Sequence, residues 1–169
     1  MAEEATEEKE EKVRILFVDD EQSVLNALRR SLRKEGYKIH LTVDVEDALR
    51  IIGTEHIDVV VSDHLMPAMT GIEFLAMAAR LHPNVVRIML TGQADVDMAI
   101  RAINEGQVNR FLTKPWDDAQ LKFVLRDAAR EVILQRRLTA AEIENDKPEE
   151  EKFPSIKRDS GGAIVIDLL

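Results

Sequence analysis

The sequence predicts an α/β fold: a doubly wound, five-stranded parallel sheet with five helices on its two faces and the last helix extended. Three observations predict it. Short apolar runs recur five times, apolar residues at helical spacing follow each run, and four of the five runs end on an acid, a hydroxyl or a lysine. Strict strand–helix alternation favours parallel strands joined by right-handed crossovers.

Each element has its own justification. Val13–Val18 is short and rich in β-branched residues, as a strand buried on both faces would be, and it ends at Asp19 and Asp20. Ser23–Lys34 has helical spacing at Val24, Leu25, Leu28 and Leu32, with Gly36 suited to a helix stop. Tyr37–Val43 alternates like a strand near an edge, and Glu46–Glu55 repeats Ala48, Leu49 and Ile52 as a helix does. Ile57–Ser62 is a second fully apolar strand ending at Asp63, followed by a helix over Gly71–Leu81 that buries Ile72, Leu75, Ala78 and Ala79. Val85–Leu90 is a third, ending at Thr91, and Val96–Ile103 a short helix closed near Gly106. Val108–Thr113 is the last strand, with Lys114 and Pro115 behind it. Asp117–Arg137 is a long helix with Leu121, Leu125, Ala128 and Val132 on one stripe.

Charge is distributed unevenly. The net charge is −9, but residues 1–12 hold six Glu against two Lys, and residues 142–152 hold six acids against two Lys. The acidity therefore belongs to the flanks, which read as solvated. No basic patch of the kind that neutralises nucleic-acid phosphates stands out, so direct nucleic-acid binding is not expected. Cysteine is absent, which excludes disulfide and thiolate chemistry and suits a reducing cytoplasm. The start is Glu-rich, unlike a signal peptide, and no apolar stretch approaches the roughly 20 residues that span a bilayer. A soluble, cytoplasmic chain is expected, with no membrane insertion.

In open parallel sheets the functional crevice lies beyond the carboxyl ends of the strands. Asp19, Asp20, Asp63, Thr91 and Lys114 all fall at that edge. Three converging carboxylates repel unless a cation offsets them, and an oxygen-ligated divalent ion, Mg2+, is the natural counter-charge. Lys114 and the Thr91 hydroxyl are then donors without an acceptor. A phosphoryl group on one carboxylate would satisfy both, because phosphoryl transfer is mainly positioning and charge neutralisation.

The blocks FVDDE (17–21), VSDHLMP (61–67), MLTG (89–92) and FLTKPW (111–116) resemble, in order, the four signatures of response-regulator receiver domains of bacterial two-component systems. The resemblance covers about residues 13–137. It implies a flavodoxin-like sheet in the order 2-1-3-4-5, with Asp63 as the phosphoacceptor that takes a phosphoryl group from a sensor histidine kinase or phosphotransfer protein. It further implies Asp19, Asp20, Asp63 and the Leu65 backbone carbonyl as the Mg2+ site. Lys114 is implied as the partner of the phosphoryl oxygens, with Thr91 and Phe111 as switch residues. A cis Lys114–Pro115 bond and a signalling surface of fourth helix, last strand and last helix follow from the same likeness. Phe111 stands where the family commonly has tyrosine. Leu65 and Gln93 occupy the positions two beyond Asp63 and Thr91, and an apolar Leu65 cannot orient water, so slow self-dephosphorylation is expected.

Simpler readings stand beside these. Asp19 alone reads as a helix cap, Lys114 as surface charge and Phe111 as core. His64 has no second histidine at ligand spacing and reads as a partly exposed rim residue rather than a zinc ligand. Trp116 reads as packing under the last helix. Residues 1–12 read as an acidic leader, 138–152 as a helix extension and acidic linker, and 153–169 as a tail whose Ala163–Ile166 is strand-like. No DNA-binding, cyclase or phosphodiesterase signature fits outside the receiver, and a homodimer through the last helix is open. Two other functions remain as alternatives: a Mg2+-dependent phosphohydrolase with an Asp nucleophile, and a degenerate receiver that only binds proteins.

Overall fold

The computed structural model describes residues 11–105 and 107–146, together with the backbone of 156–158 and 164–166. The chain divides into two units, Met1–Gln135 and Arg136–Leu169.

In the first unit each apolar run becomes a strand of one parallel sheet: β1 Arg14–Val18, β2 Lys38–Thr42, β3 Val59–Asp63, β4 Val86–Gly92 and β5 Arg110–Lys114. Their order is β2-β1-β3-β4-β5, the doubly wound arrangement expected. Helices α1 Gln22–Leu32, α2 Val45–Thr54, α3 Gly71–Leu81, α4 Val96–Asn104 and α5 Asp118–Asn145 alternate with the strands, and a 3-10 turn at Gln93–Asp95 precedes α4.

Alternation along each strand supplies both faces. Ile15 and Phe17 join Leu25, Leu28, Leu121 and Leu125 in the layer under α1 and α5. Leu16 and Val18 join Ala48, Ile52, Phe74 and Ala99 in the layer under α2, α3 and α4. Each fully buried aliphatic or Phe side chain contributes about 1.5–3 kcal/mol by leaving water, so the two layers dominate the stability of the sheet.

Local chemistry sets the ends of the helices. Asp44 caps α2 by accepting from the Asp47 amide at 3.1 Å. Thr70 and Glu73 form a reciprocal capping box that fixes the start of α3. Gly36 follows α1 at φ 81°, a conformation that favours glycine, which is why the helix stops there. Asp19 is not the N-cap of α1; Glu21 is, and Asp19 Oδ1 instead accepts from the Glu21 amide at 2.9 Å.

Some boundaries differ from expectation and others agree. Strand β5 starts at Arg110 rather than Val108, because Val108 is buried in the layer under α4 and the Asn109 amide is tied to the Arg87 carbonyl. Helix α5 continues past Arg137 to Asn145, the extension expected there, having no proline or glycine in that stretch. The closing residue Gly106 lies outside the described residues, as do positions 1–10 of the acidic leader and most of 147–169. In the second unit, Ile164–Ile166 (β7) lies within the expected strand and pairs antiparallel with Ile156–Arg158 (β6), a partner the sequence did not indicate.

Candidate functional site

Four strands bring the site together at the carboxyl edge. Val18 is in register with Ser62, Asp63 with Leu90, and Gly92 with Lys114, so the residues just beyond β1 and at the ends of β3, β4 and β5 converge. Carboxylate oxygens of Asp19, Asp20 and Asp63 lie within 4.8 Å of one another. Asp19 is fully buried, Asp63 nearly so, and Asp20 is exposed.

One ammonium group serves two of these acids. Lys114 Nζ lies 2.7 Å from Asp19 Oδ2 and 3.0 Å from Asp63 Oδ1. Asp63 Oδ1 also accepts from the His64 amide at 2.9 Å. Both donors use the same oxygen, and Oδ2 has no hydrogen-bond partner among the described residues.

Burial pushes the Asp63 carboxyl above its ordinary value; the Lys114 hydrogen bond pulls it back, and the charge of Asp19 pushes it up again. Burial pulls Lys114 down, but its bonds to Asp19 and Asp63 outweigh that and hold the ammonium charged above its usual range.

The remaining expected residues fall around this centre. Thr91 is fully buried, and its hydroxyl donates to the Gly92 carbonyl at 3.3 Å rather than to Asp63. Leu65 stands on the rim, 64% exposed. Phe111 is partly buried against the layer under α4. The Lys114–Pro115 bond is cis, as expected. Trp116 packs against the layer under α1 and α5.

His64 departs from expectation. It is buried, only 6% exposed, and its Nδ1 has no hydrogen-bond partner. The reason is the backbone: the His64 amide donates to the Leu90 carbonyl at 2.9 Å and its carbonyl accepts from the Gly71 amide at 2.7 Å, which turns the segment inward. Gly71 itself was read only as a helix start. A Cβ there would lie 2.2 Å from the Asp63 carbonyl oxygen, so the start of α3 packs on the backbone of the phosphoacceptor candidate with no room for a side chain. Spacing alone gives no signal for such a contact.

Residues 15–126 match the response regulator receiver domain. The chain belongs to this family. As a receiver it is a signalling domain of the two-component type, which favours that function over the phosphohydrolase and binding-module alternatives. It is similar to the hydrogenase transcriptional regulatory protein HoxA of Bradyrhizobium diazoefficiens, at 31% identity over 77% of this chain and 27% of that protein. It is also similar to the transcriptional regulatory protein GlrR of Escherichia coli K12, at 33% identity over 68% of this chain and 26% of that protein. The chain thus spans about a quarter of the length of these relatives. Among solved structures, the receiver domain of an HD domain-containing protein from Pseudomonas fluorescens Pf-5 shares 35% identity with a TM-score of 0.69, over 75% of this chain and 93% of that one. An adenylate cyclase from Rhodopirellula baltica matches at 35% identity and a TM-score of 0.72, over 81% of this chain and 99% of that one.

Receivers bind Mg2+ at an acidic cluster, and the donors here fit. They are oxygen only, they carry more negative charge than Lys114 offsets, and the burial that raises the Asp63 carboxyl is relieved by a further cation. No helix among the described residues is long and apolar enough to cross a membrane.

Proposed function

We propose that Asp63 accepts a phosphoryl group from the phosphohistidine of a sensor kinase or phosphotransfer protein, and that this charge switches the surface formed by α4, β5 and α5. The observation that carries the reading is Lys114, held between Asp19 and Asp63 at the edge where three carboxylates meet.

With Oδ1 held by Lys114 and the His64 amide, Oδ2 is the oxygen free to attack. The new O–P bond forms in line with the breaking P–N bond, whose electron pair leaves on the donor imidazole. The ammonium of Lys114 then pairs with a phosphoryl oxygen, and the Thr91 hydroxyl leaves the Gly92 carbonyl to donate to another. Phe111 follows that movement from the neighbouring strand position. Asp19, Asp20, Asp63 and the Leu65 carbonyl would hold Mg2+, which when bound neutralises charge on the carboxylates and on the transferring group. The receiver is not a turnover enzyme in this reading; it assists only its own phosphorylation and dephosphorylation.

Residues 13–137 form the switching unit in this reading, 138–152 connect it onward, and 153–169 await a role. The kinase, and the cytoplasm where such kinases present their donor, are parts of the same proposal. So is a homodimer through α5, supported by Phe123, Leu134 and Leu138, which stand more than half exposed on one stripe of the helix. The exposed, apolar Leu65 leaves the attacking water unoriented, so the phosphoryl group is expected to persist for minutes or longer; a lifetime of seconds would overturn that part.

The test is intact mass after incubation with Mg2+ and a small phosphodonor. One adduct of about 80 Da, dependent on Mg2+ and absent from Asp63→Ala, is expected. Steady phosphate release without an adduct would point to a hydrolase, and neither signal to a binding module.

A further inference from the structure

Two histidines far apart in the sequence meet at the end of β3 opposite Asp63. His56 stands two residues past the end of α2, and His82 is the residue that closes α3. Their ring centres are 5.2 Å apart, with the ring planes at 78°. His56 Nε2 lies 3.2 Å from Asp58 Oδ1. Asp58 is buried, and its other oxygen is held by the Arg14 amide at 2.8 Å, so the carboxylate behind His56 is fixed.

This arrangement decides which nitrogen His56 offers. With Nε2–H donating to the carboxylate, the neutral ring carries its lone pair on Nδ1. A carboxylate placed behind a histidine in this way is the usual outer support of a metal ligand, orienting the ring and raising its basicity. His82 brings a second imidazole. An ion about 2.1 Å from one nitrogen of each ring, at a tetrahedral angle, sets the ring centres roughly 5 Å apart. The two rings already stand at that separation. The adjustment left is rotation about χ2, a broad torsion that leaves each ring centre nearly in place.

The surroundings also suit a cation. Helices α2 and α3 both end here, and a helix C-terminus favours positive charge. Helix α2 has no basic residue in its last turn. The Arg14 guanidinium is engaged by Glu11 at 2.6 Å and Glu55 at 3.6 Å. The His56 side chain is 54% exposed, which leaves room for water on the ion.

We propose that His56 and His82 together bind one borderline divalent transition ion of the Zn2+ class. Asp58 supports His56 from behind, and water completes the tetrahedron. Imidazole donors suit this class, whereas Mg2+ prefers the oxygens of the acid cluster. The two ions thus belong to opposite ends of β3, about 16 Å apart along the strand. The bound ion ties the end of α2 to the end of α3. Nothing in this proposal depends on the phosphoacceptor reading.

The test titrates Zn2+ into the full chain with Mg2+ in excess. Two-bond proton–nitrogen NMR correlations follow the four histidine rings. The ring nitrogens of His56 and His82 should shift together and saturate at one equivalent, while those of His40 and His64 stay in place. In His82→Gln, the Zn2+ concentration needed to shift His56 should rise about tenfold or more. His56→Gln should do the same to His82. The midpoint should not move when Mg2+ is raised tenfold. Three results would overturn the proposal: no shift at an excess of Zn2+, an unchanged midpoint at either histidine when the other is replaced, or a shift at His64 that Mg2+ competes away. The first and third are read on the wild-type chain, so they hold whatever the variants do to folding.

Discussion

Strand β3 is preceded by one buried aspartate and ends on another, and the two are treated differently by their surroundings. Asp58 Oδ2 accepts from the Arg14 amide at 2.8 Å, and its Oδ1 lies 3.2 Å from His56 Nε2. Its backbone also joins the ladder, donating to Arg14 and accepting from Val86. Asp63, four residues of strand away, shares one ammonium with Asp19, has Asp20 close by, and keeps one oxygen without a partner. The first carboxylate has its own partners and acts as a bracket between β1 and β3. The second sits among more negative charge than its neighbours cancel, which is the condition for recruiting a cation and a phosphoryl group. Burial of an acid is therefore not the functional signal here; an unbalanced set of neighbours is.

The sharpest break between the two ends is all-or-none. Asp63→Asn should lose the phosphoryl adduct entirely, while Asp58→Asn keeps it, as intact mass would show; equal loss in both would dissolve the distinction. Next in size is Lys114→Met, which leaves Asp19 and Asp63 facing each other without their cation. Chemical denaturation should show a loss of about 3 kcal/mol, partly restored by millimolar Mg2+ because the ion binds only the native state. Asp58→Ala should cost about 2 kcal/mol by stranding the Arg14 amide, and Mg2+ should not restore it.

The smallest effect is a pH slope. Because the Asp63 carboxyl is raised, the native state holds a proton that the unfolded chain gives up, from the ordinary carboxylate range to the raised value. Stability contributed by that residue therefore falls as pH rises through this window. Melting temperatures of wild type and Asp63→Asn should converge at pH below the carboxylate range, with the variant higher above it. A parallel pH dependence in both would remove Asp63 as the cause.

Much of this was legible in the sequence because strand periodicity and strand-end chemistry coincide. The runs ending at Asp19, Asp63, Thr91 and Lys114 are the strands that converge, and the expected start and end of α3 are those observed. Residues whose role depends on a backbone approach were not legible. His64, lacking a second histidine at ligand spacing, was expected as a partly exposed rim residue, yet it is buried and two main-chain hydrogen bonds hold its segment. Gly71 matters for the space it leaves beside Asp63, and a letter in the sequence does not record distance. Arg87 was hidden inside an apolar run; its guanidinium donates to the carbonyls of Gln107 and Val85, and its amide to Asn109 Oδ1, pairings that need the folded sheet to appear.

Strand β5 has a consequence for how far a local event travels. Within five residues it holds Arg110, bonded to Asp127 and Glu131 of α5, Phe111, packed under α4, and Lys114, bonded to the acids. Lys114 and Phe111 are about 10 Å apart along an extended chain. As an edge strand, β5 is laced to one neighbour only. Sliding it by a fraction of an ångström strains a single seam of hydrogen bonds, where an interior strand would strain two. With β2, β5 is one of the two strands of the five-stranded sheet held by a single seam, and α4 and α5 are the helices that would register such a movement.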